Sequence, residues 1–305
     1  MTGNQSLRIL HISDLHFGPP FLPTVGERLL RMAELLMPDA VVVSGDFTQR
    51  AKPQQFIDAA SFLKELPPVP QLVIPGNHDV PLYRVAERML KPHALYRQHI
   101  SQELNPVLRL DGAVLVGLDT SSPYRNLTNG RIHQWQLDLC SNALRNAPLD
   151  AARIVVAHHH FAPAPDYLHD WTMPKARRAI DRFIDLGVEM ILGGHLHRAY
   201  IGNSLDFFPG SHRERGIIIV QCGTTTSRRG RGREREKNSF NMIEVTQTSH
   251  RVTHYVYFDE ERGFTPFSQH IFPRPGQQFE HDVLRAEHET EAASENVDAS
   301  VTTPV

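Results

Sequence analysis

The 305-residue chain lacks most of the features that mark a specialised class of protein. It has two cysteines, Cys140 and Cys222, in no metal-type spacing, so we expect reduced, buried thiols. Its 32 basic and 34 acidic residues nearly cancel, so no overall field draws it to nucleic acid or to a membrane surface. No apolar run reaches the length of a membrane span, and the first residues do not resemble a secretory leader. These absences predict a cytoplasmic globular protein.

Nine short apolar runs, bounded by Gly, Pro and Asp, have the composition of buried strands. They read LRILHIS, DAVVVSGD, QLVIPGNHD, GAVLVGLDT, ARIVVAHHH, VEMILGGH, RGIIIVQCG, NMIEVTQ and RVTHYVYF. Apolar residues at helical spacing predict helices over 26–37, 53–66, 132–144 and 176–186. This alternation predicts an α/β fold with a largely parallel sheet in the first half, and the later strands predict a second, more antiparallel sheet.

Two segments interrupt this pattern. Residues 224–238, TTTSRRGRGREREKN, are rich in glycine and arginine. The run from Arg228 to Arg235 could bind a phosphate, a nucleic acid or an acidic partner, but Glu234, Glu236 and the glycines favour a solvated loop. Residues 274–305 are acidic and poor in large apolar side chains, so we expect a disordered tail after a single domain at 1–273.

Five of the predicted strands end in side chains that can bind a metal ion. In chain order these are Asp14 and His16, then Asp46, then Asn77 with His78 and Asp79, then His158 with His159 and His160, and finally His195 and His197. In open α/β sheets, functional groups collect beyond the carboxyl ends of the strands. Each motif alone is an ordinary turn, but together and in this order they predict one shared site.

The spacing within these motifs adds detail. In Asp14-Leu15-His16, alternate residues of an extended chain point the same way, so both polar side chains can reach one ion while Leu15 enters the core. The same holds for His195 and His197. Glycines at 45, 76, 193 and 194 would let the backbone turn sharply. Carboxylates, a carboxamide and imidazoles without a thiolate favour Mn, Fe, Zn, Co or Ni over a structural zinc site.

The order Asp-x-His, Gly-Asp, Gly-Asn-His-Asp, His, Gly-His-x-His resembles that of the calcineurin-like metallophosphoesterase superfamily, over about residues 7–245. Within it, PGNHDVP and AHHHFAP are most similar to the bacterial cyclic-nucleotide phosphodiesterase branch. The resemblance implies a four-layer αββα sandwich of two mixed β-sheets flanked by helices. It also implies two divalent metal ions at the sheet ends.

Carried over residue by residue, the resemblance assigns Asp14, His16 and His197 to the first ion. It assigns Asn77, His158 and His195 to the second ion, and Asp46 bridges the two. His159 is the alternative to His158. His78 would protonate the leaving group and Asp79 would orient His78. Asp119 also ends a strand, but we favour a turn or supporting role for it over ligation.

Two departures bear on the substrate. The segment GDFTQRAKP lacks the Gly-Asp-x-Val-Asp-Arg-Gly motif of the protein Ser/Thr phosphatases, which argues against that activity. Phe161 stands where the branch usually has proline, in a position expected beside the substrate. The sequence predicts a phosphohydrolase acting on small phosphoesters, with phosphodiesters and cyclic nucleotides foremost. A phosphomonoesterase, a nuclease and a non-catalytic metal-binding scaffold are the alternatives; nucleic acid is not an expected partner, and a homodimer is left open.

Overall fold

The computed structural model describes residues 6–124, 129–163, 172–208, 216–231 and 237–277. The strands in these ranges are β1 (Leu7–Ile12), β2 (Ala40–Val43), β3 (Gln71–Val73), β4 (Val107–Leu110), β5 (Ala113–Leu118), β6 (Ala152–Ala157), β7 (Met190–Gly193), β8 (Tyr200–Asn203), β9 (Ile218–Gln221), β10 (Ser239–Val245), β11 (Ser249–Tyr257) and β12 (Phe264–Pro273). The α-helices are α1 (Pro23–Leu36), α2 (Pro53–Glu65), α3 (Val85–Leu90), α4 (Ala94–His99), α5 (Gln134–Arg145) and α6 (Ala176–Asp185).

The strands form two six-stranded mixed sheets. The first has the order β12-β11-β10-β1-β2-β3, in which β1, β2 and β3 run parallel and β10 to β12 are antiparallel. The second has the order β4-β5-β6-β7-β9-β8, parallel from β5 to β9 with an antiparallel strand at each edge. The parallel strands of each sheet therefore deliver their carboxyl ends to one edge.

Three apolar layers hold four structural layers together. On β1, Leu10 packs with Leu29 of α1 and Phe56 of α2, whereas Ile9 faces Ile154 and Leu192 of the other sheet. This alternation follows from the two-residue period of a strand. The second sheet buries its outer face under α5 and α6, through residues such as Leu137, Ile180 and Phe183. The structure confirms the predicted four-layer sandwich of two mixed sheets flanked by helices.

The division of strands between the sheets differs from the prediction. The antiparallel strands β10 and β11 do not begin a separate sheet; β10 pairs with β1, with Ile9 opposite Ile243. The second sheet is built from the middle of the chain and is mainly parallel. Strands β4, β8 and β12 and the short helices α3 and α4 were not predicted. The four predicted helices are present, with ends shifted by up to three residues.

The packed chain continues past β12 to Arg274. Its guanidinium donates hydrogen bonds to both carboxylate oxygens of Glu189, at 2.9 and 3.0 Å, and to the carbonyl of Thr246. The rest of the tail predicted to be disordered, residues 278–305, lies outside the described residues. None of the helices in the described ranges has the length and apolar character required to span a membrane.

Candidate metal centre

A buried cluster of carboxylates and histidines lies where β1 and β2 of the first sheet and β7 of the second end. Asp14, His16, Asp46 and His197 each offer one ligand atom, and these four atoms lie within 4.8 Å of one another. Nε2 of His16 is 3.6 Å from both Asp14 Oδ1 and Asp46 Oδ2. Nε2 of His197 is 3.1 Å from Asp14 Oδ1. The arrangement can enclose one cation.

A second group of ligand atoms adjoins the first through Asp46. Nε2 of His158 lies 3.4 Å from Asp46 Oδ2 and 3.2 Å from Asn77 Oδ1. Nδ1 of His195 lies 2.9 Å from the same Asn77 oxygen. The seven side chains predicted as ligands therefore meet at one edge of the sandwich, and Asp46 Oδ2 faces both groups.

The polar atoms of this cluster fit a metal site because two of its carboxylate oxygens lack ordinary partners. Asp14 Oδ1 and Asp46 Oδ2 are buried, and neither accepts a hydrogen bond from the described part of the chain. A buried oxygen without a donor loses its hydration with nothing in return, at a cost of about 1–3 kcal/mol, and more when it is charged. A divalent cation would compensate both oxygens at once.

Main-chain carbonyls fix how two of the histidines present their rings. Nδ1 of His158 donates to the carbonyl of Ser44 at 2.8 Å, and Nδ1 of His197 donates to the carbonyl of Arg229 at 2.9 Å. In the neutral ring the proton is then on Nδ1, so Nε2 carries a lone pair directed into the cluster. A hydrogen bond of this kind to the second nitrogen is the usual way in which proteins orient a metal-binding histidine.

The charges of the cluster also favour a cation. Burial opposes the ionisation of Asp14, but His197 and His16 hold the pKa of its carboxyl well below the ordinary value. Burial likewise opposes ionisation of Asp46, but His158 and His78 hold its pKa well below the ordinary value. Burial would lower the pKa of His158, yet Asp46 raises it to about 9. Two ionised, buried carboxylates thus attract positive charge, which bound metal ions would supply.

Five of the seven predicted ligands have a left-handed backbone. Their φ angles are 55° at Asp14, 52° at His16, 56° at Asp46, 73° at His195 and 52° at His197. Such residues cost of order 1–3 kcal/mol each and are concentrated at functional sites. The prediction that Asp14-Leu15-His16 is extended was wrong, although Leu15 is fully buried as expected. The side chains converge in part because the backbone turns tightly at these five ligands.

The glycines of the motifs mainly provide space. Of the four that were expected to make sharp turns, only Gly45 has a positive φ, 104°. A Cβ on Gly76 would collide with the carboxylate and backbone of Asp46, and one on Gly194 would collide with Ser13 and Asp14. These two glycines are therefore required because ligands from neighbouring loops pass directly over them.

His78 and Asp79 occupy the loop after β3. Nδ1 of His78 donates to the carbonyl of Gln49 at 2.9 Å, and the ring meets that of His16 edge-on at 4.9 Å. Burial lowers the pKa of His78; Asp46 opposes this effect. The Asp79 carboxylate accepts hydrogen bonds from the amides of Phe47, Thr48 and Gly76 at 2.9–3.2 Å. Asp79 thus joins the loops after β2 and β3, and the ring of His78 is oriented by Gln49.

Several other residues singled out in the sequence lie outside the cluster. His159 is hydrogen-bonded through Nδ1 to Thr120 Oγ1 at 2.8 Å, and the ring of His160 stacks on that of His195. Asp119 accepts hydrogen bonds from the amide and hydroxyl of Ser121. Phe161 was expected beside the substrate, but its ring is fully buried in the helix-side core against Phe183, so it does not line the centre.

The sequence did not identify Gln49 and Arg229 as part of the site. The Arg229 guanidinium donates through Nη1 to Gln49 Oε1 at 2.9 Å and to His78 Nε2 at 3.2 Å. The sequence signal for Arg229 was the arginine-rich segment, which favoured a solvated loop. Only the structure distinguishes this half-buried arginine from its exposed neighbours Arg228 and Arg231.

Comparisons with solved structures agree with this fold. The chain is similar to purple acid phosphatase PPD1 of yellow lupin (Lupinus luteus), with a TM-score of 0.67 and 11% identity over 90% of this chain and 55% of that one. It is similar to PhoD, with a TM-score of 0.69 and 14% identity over 88% of this chain and 70% of that one. It is similar to a dimetal phosphatase from Danio rerio, with a TM-score of 0.59 and 12% identity over 88% of this chain and 99% of that one.

At such low identities these TM-scores establish a shared fold alone, and the chain spans about half the length of the lupin phosphatase. No curated protein matches the sequence. The family described as calcineurin-like phosphoesterase matches residues 7–199, more than half of the chain. The chain therefore belongs to the calcineurin-like phosphoesterase family.

Proposed function

We propose that the protein is a binuclear metal-dependent phosphohydrolase that cleaves phosphodiesters. The observation that carries the proposal is the position of one carboxylate oxygen, Asp46 Oδ2. It lies 3.6 Å from Nε2 of His16 in one ligand group and 3.4 Å from Nε2 of His158 in the other. It is buried and accepts no hydrogen bond from the described residues. An oxygen in this position suits a bridge between two cations.

The side chains divide into two sets around that oxygen. Asp14, His16 and His197 would hold one ion. Asn77, His158 and His195 would hold the other. Two divalent cations held there would polarise the phosphoryl oxygens and would make a nucleophile available from water at neutral pH. Because Asp14 and Asp46 are the two carboxylates in these sets, a site loaded with two divalent cations would keep a net positive charge and would attract an anionic ester.

His78 is the candidate for protonating the leaving oxygen. Because Nδ1 donates to the carbonyl of Gln49, a transferable proton would be held on Nε2. In the neutral ring this nitrogen accepts a hydrogen bond from Arg229, and protonation of the ring would replace that contact. An alkoxide leaves poorly without a proton, and a positioned acid contributes about 10²–10⁴-fold to such reactions. Asp79 supports this role indirectly, because it ties the loop of His78 to the loop of Asp46.

The choice of substrate depends on resemblance. The motifs PGNHDVP and AHHHFAP favour cyclic nucleotides among small phosphodiesters. The names of the lupin and Danio rerio neighbours favour a phosphomonoesterase as the second candidate. A non-catalytic scaffold fits less well, since no predicted ligand is missing and His78 is present. Manganese, iron, zinc or cobalt as the metal, a cytoplasmic location and a homodimer stay predictions.

A substrate panel on metal-reconstituted protein tests the proposal. Purified protein is loaded with Mn²⁺, Fe²⁺, Zn²⁺ or Co²⁺ and assayed with p-nitrophenyl phosphate, bis(p-nitrophenyl) phosphate, cyclic AMP and a short single-stranded oligonucleotide. We expect the diesters to be cleaved fastest. Preference for p-nitrophenyl phosphate would favour the phosphomonoesterase, preference for the oligonucleotide would favour a nuclease, and no turnover with two bound ions would favour the scaffold.

The Asn77→Ala variant tests whether this cluster is the active site. Loss of the amide oxygen should remove one ion and abolish hydrolysis of bis(p-nitrophenyl) phosphate while the fold, followed by circular dichroism, stays intact. Asp119→Asn is the matched control, because Asp119 also follows a strand but bonds to Ser121 away from the cluster. Unchanged hydrolysis by Asn77→Ala would overturn the assignment.

A further inference from the structure

Arg229 places a guanidinium beside the centre. Its backbone carbonyl accepts the hydrogen bond from Nδ1 of His197, which fixes the loop after β9 against one predicted ligand. From there its side chain reaches His78 and Gln49, at 3.2 and 2.9 Å from Nη1. Arg229 therefore contacts a ligand of the first ion through its backbone and the residue proposed to protonate the leaving group through its guanidinium.

The hydrogen bonds of Arg229 occupy only one end of its guanidinium. Both contacts use Nη1, and within the described residues Nε and Nη2 have no hydrogen-bond partner. These two nitrogens form the edge that arginine presents to a phosphate in a two-point, charge-assisted contact. The edge that is best suited to phosphate is thus the edge that the described residues leave open.

Within the described residues, the positive charge of Arg229 also has no carboxylate as an ion-pair partner. It is half-buried, and no carboxylate of the described chain lies within ion-pair distance of it. Burial lowers its pKa, while the fields of Asp46 and Asp14 oppose that effect. Metal ions at the centre would take up much of the charge of those two carboxylates. A half-buried guanidinium is then matched by an anion that arrives with the substrate.

We infer that Arg229 binds the phosphoryl group of the substrate through Nε–H and Nη2–H, an inference that rests on the proposed function. Both N–H groups donate hydrogen bonds to non-bridging oxygens of the ester, and no covalent bond is formed or broken. Gln49 sets the geometry, since its carbonyl holds the ring of His78 and its side chain holds Arg229. One residue thereby fixes the spacing between the group that grips the phosphate and the group that faces the leaving oxygen.

The test compares Arg229→Met and Arg229→Lys with Arg228→Met. Arg228 is the exposed neighbour in the same loop, so its variant controls for the loss of one positive charge. Each metal-loaded protein is titrated with inorganic phosphate by calorimetry, its bound metal is quantified, and kcat and KM are measured with bis(p-nitrophenyl) phosphate. We expect Arg229→Met to keep both ions but to lose about 10- to 100-fold in phosphate affinity, as for a charge-assisted contact.

Arg229→Lys should recover part of the loss, because the charge is kept and the two-point fork is not. Phosphate affinity of Arg229→Met equal to that of wild type would overturn the inference even if the enzyme is a phosphodiesterase. The same loss in Arg228→Met would also overturn it, since a general charge effect would then suffice. If the wild type hydrolyses no ester, the proposed function fails, but the phosphate titration still decides whether Arg229 binds the anion.

Discussion

Two buried clusters of carboxylates and histidines lie at the two ends of β7. Beyond its carboxyl end, His195 and His197 meet Asp14 and Asp46, and one oxygen of each aspartate accepts no hydrogen bond from the described residues. Before its first residue, Glu189 accepts hydrogen bonds on both oxygens, from His250 at 2.8 Å and from Arg274 at 2.9 and 3.0 Å.

The difference separates a buried polar cluster that is structural from one that is functional. At Glu189 the charges are matched by the chain itself, so the cluster supports folding and needs nothing further. At the other end, several residues have a left-handed backbone and two carboxylate oxygens lack a hydrogen-bond donor from the described residues. We therefore expect this cluster to need a bound cation to balance its charge. Natural proteins deviate from local preferences in this way mainly at functional sites.

The comparison is tested most severely by Asp46→Asn. The variant keeps the shape of the side chain but removes the charge that would bridge two cations. Because charge stabilisation worth several kcal/mol is lost, we expect kcat/KM to fall by about 10³-fold or more. Metal analysis should show fewer than two ions per chain. Two bound ions per chain in a folded Asp46→Asn protein would mean that Asp46 is not needed to hold them.

The opposite pattern is expected for Glu189→Gln. This change leaves the Arg274 guanidinium buried without its counter-charge, which typically costs about 3–5 kcal/mol. Urea unfolding should therefore show a lower free energy of unfolding, while metal content and kcat at a permissive temperature stay at wild-type values. Lost metal binding in a folded Glu189→Gln protein would contradict the separation of the two clusters.

The acid stability of the metal-free protein provides a finer test. Although burial alone would raise the pKa of Glu189, hydrogen bonds from His250 and Arg274 lower it to about 2 from 4.5. Since the folded-state pKa is depressed, the stabilisation is fully present above pH 4.5 and is lost as the pH falls towards 2. The shift corresponds to about 3 kcal/mol at most. Urea unfolding from pH 6 to 2 should show a shallower decline for Glu189→Gln than for wild type.

Most of the fold could be predicted because its central strands are apolar on both faces and its main helices are amphipathic. The strands that were missed lack that signal. Strand β4 alternates exposed and half-buried residues, β8 is half-buried throughout, and β12 is largely exposed. Which sheet a strand joins was not predictable either, because the pairing of β10 with β1 depends on contacts over two hundred residues apart.

The candidate site could be predicted in its residues but not in its backbone. Side-chain type and order placed Asp14, Asp46 and the histidines at one edge, because parallel strands share their direction. The left-handed turns could not be predicted from the sequence, because aspartate and histidine also occur at ordinary strand ends. Arg229 was missed for a similar reason, as an arginine-rich segment does not reveal which of its guanidiniums turns inward.

The smallest expected effect is on the free energy of unfolding, from a substitution at a left-handed residue that is not a predicted ligand. Met37 ends α1 with φ 44° and a side chain that is 70% exposed, and it precedes β2, whereas Asp46 follows the other end of that strand. Glycine adopts this helix-end conformation without the Cβ clash, so we expect Met37→Gly to raise the free energy of unfolding by about 0.5–1 kcal/mol. Activity and metal content should not change. Because Met37 is not a predicted metal ligand, its backbone strain can be removed without loss of activity. The strained backbone at Asp14 and His16, by contrast, positions two predicted ligands. If the free energy of unfolding of Met37→Gly were equal to or lower than that of wild type, a left-handed backbone would cost too little free energy to identify a functional site.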